Sequence, residues 1–273
     1  MTDAAQSANR SAKRAARSRP LKIAARVGIL AYGVTHLLIG GLALQVAFGQ
    51  GGQQADETGA FQALAQQPYG PPLLWLLAVG FVAAAVWRAE LAIWGYDYVS
   101  DTTKVVRKKA VSGVKAVIFV VQAVIAGTAA AGGGGGGGGQ QQATAGVFGL
   151  PGGQILVGVI GLVVLVVGVV KVVEGAQKKF LDDMDVPSDR RARTLLERIG
   201  QVGNIAKGVA IGLIGVLLIV AAIRFRPEEA TGLDAALKGL AAQPYGPYLL
   251  IAVALGLIAY GVFCFFDARY HRV

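Results

Sequence analysis

Lys115 and Lys207 are each followed by sixteen uncharged residues before the outer side, and they fall at matching positions of an internal repeat. Arg88 and Lys171 match as well, each twenty residues after a turn proline. Glu174 and Asp267 match at twenty-three residues, with Glu90 one position short of that. A charge near a bilayer centre is costly, so each such group demands a partner, a wet cavity or an escape to the interface. The chemistry within reach of this set is ion pairing and the electrostatic selection of solutes. Lys171 and Glu174 can pair across one turn of a helix, whereas Arg88 and Glu90, two residues apart, must turn to neighbouring helices. One arrangement is a cytoplasmic rim of snorkelling cations with acidic partners. The other is a charged layer around an axis, guarding the inner mouth of a pathway. Repeat equivalence adds weight to the second, because duplicated units inherit positions together.

His36 is the deepest ionisable group, ten residues beyond Arg26, with Thr35 beside it. A proton relay there would lack a visible chain of carriers, so a neutral, hydrogen-bonded packing histidine is the expectation. Gln45, Gln122 and Asn204 lie within apolar runs and are expected to bond between helices. No catalytic or metal site assembles from the remaining residues. His36 and His271 are the only histidines and Cys264 the only cysteine, which leaves no triad, thiol pair or disulfide. The eight glycines at 132–139 lack the Gly-Lys-Ser/Thr ending of a phosphate cradle and read as a flexible linker. The acids of residues 178–198 lack the calcium-loop pattern. The chain is expected to be no enzyme and to hold no cofactor and no metal.

Six runs must position these residues: 29–48, 73–94, 111–131, 155–173, 202–223 and 248–266. About 20 apolar residues, at 1.5 Å each, cross a hydrocarbon core of ~30 Å. With 54% of residues apolar and 15% charged, the composition is that of an all-α, multi-pass membrane protein. The first run exceeds the 7–15 residues of a cleavable signal core and reads as a retained span. The net charge of +10 does not imply nucleic acid, since the basic residues flank the spans. Nineteen lie in the tail, the second and fourth connections and the C-terminus, against Arg224, Arg226 and Lys238 on the other side. The positive-inside rule then places both termini in the cytoplasm.

The sequence Gln-Pro-Tyr-Gly-Pro occurs at 67–71 and 243–247, with a degenerate Leu-Pro-Gly-Gly at 150–153. Before it, Phe61 and Leu64, and then Leu233, Leu237 and Leu240, recur at three- or four-residue intervals. That period predicts short amphipathic helices at the outer interface. Pro68 and Pro244 would stop them, Gly70 and Gly246 would permit a sharp turn, and Tyr69 and Tyr245 suit the headgroup level. Gly40, Gly208 and Gly212 are spaced for close helix packing inside the bundle. The implied organisation is a basic tail (1–20), repeat 1 (21–96), repeat 2 (104–175), a cytoplasmic connector (176–197) and repeat 3 (198–268). Two-helix units return the chain to the same side, so the repeats share one orientation around a pseudo-threefold axis.

Units that begin near Arg-x-Gly (Arg26-Val27-Gly28, Arg198-Ile199-Gly200) and carry Pro-Tyr-Gly before their second span resemble the bacterial domain of unknown function 1206 family. The likeness runs from about Arg26 to Asp267. Unit 2 departs from it, lacking the Arg-x-Gly start and holding Gly152 in place of the tyrosine. The resemblance implies a multi-pass inner-membrane protein and transfers no active residue. Two functions stay open: a small-solute or ion transporter or channel with a charged inner mouth, and a non-transporting scaffold that uses its basic segments. The expected partners are the lipid bilayer and its anionic headgroups, with homo-oligomer formation left open.

Overall fold

The computed structural model describes residues 19–50, 54–95, 102–133, 146, 152–224 and 233–270. The tail to residue 18, most of the glycine run, Pro151, Arg226 and residues 271–273 lie outside them. Among the described residues the chain is all-helical. Repeat 1 comprises α1 (Arg19–Ala47), α2 (Glu57–Ala65) and α3 (Gly70–Trp94). Repeat 2 comprises α4 (Thr102–Ala130) and α5 (Gly153–Ala176), and a short 3-10 turn (Lys179–Asp183) follows it. Repeat 3 comprises α6 (Arg190–Arg224), α7 (Leu233–Ala241) and α8 (Gly246–Tyr270). Six of these helices are long and apolar enough to span a membrane.

The short helices close one end of the bundle. Asp56 caps α2, its Oδ1 accepting from Gly59 N at 2.9 Å, and the helix stops at Ala65 ahead of Pro68. Gly70 and Gly246 are required by close approach: a side-chain carbon would strike Leu64 O at the first and Leu240 O at the second. Phe61 of α2 and Leu237 of α7 are fully buried, and Ala55 N donates to Asp234 Oδ1 at 2.8 Å, which ties the two caps together. Tyr69 and Tyr245 remain 78% and 75% exposed on the turns beyond them.

Packing between repeats outweighs packing within them. The second long helix of each repeat lies against the first of the next: α3 on α4, α5 on α6, α8 on α1. Within repeats 1 and 3 the partners also touch, but α4 and α5 share no comparable contact. The neighbour order α4–α3–α1–α8–α6–α5 is therefore a ring around the pseudo-threefold axis, open between the two helices of repeat 2. Lipid tails are as apolar as the helices, so close backbone approach, not water exclusion, must hold these pairs. At α1–α8 a carbon on Gly33 would lie 2.8 Å from Cys264 Cβ and 2.9 Å from Gly261 O. At α5–α6 a carbon on Gly168 would lie 2.5 Å from Gly212 N and 2.8 Å from Gly208 O.

Candidate functional site

One turn of α1 directs Tyr32, Thr35 and His36 into the bundle, while α6 supplies Lys207 and α8 supplies Tyr260 and Cys264. Thr35 and His36 satisfy themselves on their own helix, donating to Ala31 O at 3.1 Å and Tyr32 O at 2.9 Å. A carbonyl only accepts, so His36 Nδ1 carries its proton. The imidazole, 6% exposed, packs against Tyr32 and Tyr260 with ring centroids 4.3 and 4.8 Å away. Lys207 Nζ donates to the Tyr32 hydroxyl at 2.6 Å and the Tyr260 hydroxyl at 3.0 Å. It also rests 4.3 and 4.2 Å from the two ring centroids, a cation–π arrangement. Cys264, one turn further along α8, packs beside Tyr260.

Below this cluster, toward the end that carries Arg26 and Arg269, the charges converge. Lys115 lies within electrostatic reach of Arg88, Lys171, Lys207 and Asp267. Register explains the grouping. Arg88 and Lys115 meet where α3 packs on α4, and Lys171 and Lys207 where α5 packs on α6. The matching positions at the third repeat interface are Cys264 and Thr35. All four cations are half-buried, as are Lys108, Lys109 and Lys178 of the same end, whereas Arg107, Lys179, Arg190, Arg191, Arg193, Arg198 and Arg269 are exposed. Lys171 pairs with Glu174 at 2.7 Å. Glu90 is half-buried and bonds to no described residue.

At the capped end Gln122, 1% exposed, donates Nε2 to Glu57 Oε1 at 2.6 Å, while its own Oε1 is buried without a partner. Glu57 opens α2 and dips into the bundle. Burial pushes its carboxyl above the usual range, and the Gln122 amide and the Lys207 charge pull it back. Glu57 also acts electrostatically on Tyr32, so polar groups run from the capped end through Lys207 to the charged layer.

Two expectations need correction. Gln45 is exposed and makes no interhelical bond to a described residue, because it sits two residues from the end of α1. Asn204 turns its amide back to Gly200 O on its own helix at 2.8 Å, where Gly175 of α5 presses against it. Gly40 faces Ile258 and Ala254 O of α8, and Gly208 faces Val172 and Gly168 of α5. Pro68, Tyr69, Pro244 and Tyr245 lie on the capped-end turns, apart from the cluster. Sequence reasoning missed Tyr32, Tyr260 and Glu57. Phenol groups inside two facing spans were a usable signal for the tyrosines; Glu57 belonged to a loop, and its burial had none.

The threefold pattern recurs in known sequences. The profile described as Domain of Unknown Function (DUF1206) matches residues 27–95, 111–178 and 202–271, one match per repeat. The chain belongs to the DUF1206 family. YxxB, an uncharacterized protein of Bacillus subtilis (strain 168), is 30% identical over 249 residues, covering 91% of this chain and 90% of that protein. No solved structure matches the chain. In this DUF1206 protein each family match spans one long-helix pair, and the cluster lies where the first and third matches adjoin.

Proposed function

We propose that this multi-pass protein is a transporter or channel for a small solute or ion and not an enzyme. It would sit in the bacterial plasma membrane with both termini in the cytoplasm, as the basic residues of its connections favour. One observation supports the reading: Arg88, Lys115, Lys171 and Lys207, at repeat-equivalent positions of the spans, are half-buried, and Lys115 lies within electrostatic reach of the other three and of Asp267. A scaffold has no use for costly charges gathered there, whereas a pathway needs them to select its solute. The column through Lys207 to Glu57 extends the polar lining toward the capped end. Flux of labelled solutes and ions into proteoliposomes is the test. Lys115→Ala and Lys207→Ala should each reduce it, and undiminished flux in both would remove these lysines from the mechanism.

The scaffold reading keeps one observation in its favour. A shallow depression of about 630 Å³ opens beside Arg190, Arg191, Thr194 and Arg198, where the basic connector could hold anionic headgroups. Vesicle flotation with and without phosphatidylglycerol would measure that binding separately from flux.

A further inference from the structure

Lys207 carries a charge deep in the bundle, and its direct partners among the described residues are all neutral. Two of its three N–H groups go to the Tyr32 and Tyr260 hydroxyl oxygens, at 2.6 and 3.0 Å. Neither Lys207 nor Lys115 is salt-bridged to a described carboxylate. Glu174 is taken by Lys171. A phenol oxygen that accepts from an ammonium sends its own O–H elsewhere. Tyr260 has the Cys264 sulfur beside it, one turn along α8, and the Tyr32 O–H is left to donate. The groups left over then include three donors, one N–H of Lys207, the ammonium of Lys115 and the hydroxyl of Tyr32, beside two neutral acceptors, His36 Nε2 and Gln122 Oε1, neither of which supplies a countercharge. Cations in a low-dielectric interior are stabilised by an opposite charge that also accepts hydrogen bonds. Arg88 and Lys171 deepen the positive potential around Lys115.

We propose that the position beside Lys207, bounded by Tyr32 and Tyr260 and strengthened by the nearby charge of Lys115, binds a small anion, a carboxylate or an oxyanion. Taking that anion as the transported solute rests on the transporter reading; the site itself rests on the donor geometry. Two sources carry this chemistry: a soluble anion, or a lipid phosphate entering between α4 and α5.

The full chain, in phosphatidylcholine nanodiscs, would be melted against sodium acetate and sodium phosphate at constant ionic strength. A parallel series would replace part of the lipid with phosphatidylglycerol. At least one of the three should raise the melting temperature saturably, and which one does so identifies the source. Lys207→Met and Lys115→Met should weaken the effect about tenfold or more, the range of a charge-assisted hydrogen bond. Tyr32→Phe should weaken it less, and Lys207→Arg should retain it. A wild-type response that never saturates, or one equal in Lys207→Met, Lys115→Met and Tyr32→Phe, would overturn the site. The Phe variant keeps the ring, so it remains informative where a Met variant does not fold. Saturable binding without proteoliposome flux would remove transport and leave the site standing; flux without binding would do the reverse.

Discussion

Repeats 1 and 3 meet along α1 and α8, beneath two caps joined by Ala55 and Asp234, whereas repeat 2 has its helices at the two open ends of the ring. The joined half holds every hydrogen bond of the central cluster except the one Gln122 makes. The open half supplies Lys115 and Lys171 from helices that each lean on a single long neighbour. Its outward sides are apolar, with Val117 of α4 and Ile155 of α5 64% and 73% exposed. The contrast separates two tasks within one repeated unit. Close glycine contact and caps hold a fixed cluster, while the looser repeat brings charge to the axis without sealing it.

The comparison is open to attack at its tightest point. Gly33→Val at α1–α8 should cost about 3 kcal/mol, because backbone on α8 blocks the new side chain. It should also abolish any anion response; an unchanged melting temperature would break the account of the joined half. Gly168→Ala at α5–α6 should cost about 1–3 kcal/mol yet leave the Tyr32–Lys207 contact intact. The control is Gly127→Ala in α4, where the nearest atom would be Trp75 Cζ3 at 4.0 Å. That change should be neutral or stabilising by up to about 1 kcal/mol, since alanine is the better helix former.

The caps sharpen the contrast further. Asp56→Ala removes the α2 cap and should cost about 1 kcal/mol. Glu57 provides a pH test. Its folded pKa is raised above the ordinary 4.5, so its contribution is fully present below that value and lost as pH rises through the folded pKa. Stability should therefore decline with pH in that window, and Glu57→Gln should flatten the decline. Asp56, also raised by burial, leaves a residual slope. A profile unchanged by Glu57→Gln would place that carboxylate in water. The smallest effect belongs to Tyr245→Ala, within about 0.5 kcal/mol, as its ring is 75% exposed.

Much of this was legible one residue at a time. Spans follow from run length, caps from the three- and four-residue spacing of Phe61 and Leu64, and matched charges from repeat arithmetic, because each is a local or periodic property. Gln45 and Asn204 misled because a polar residue in an apolar run does not reveal which helix face it occupies. The sequence by itself determined six apolar helices, three units of one orientation and the heights of the charges along them. Only the tertiary structure decided that Lys207 of repeat 3 sits on Tyr32 of repeat 1, and that Glu57 reaches Gln122 from the first turn of α2. Those contacts join residues 175 and 65 positions apart. They depend on which helices neighbour each other around the ring, a choice that helical periodicity leaves free.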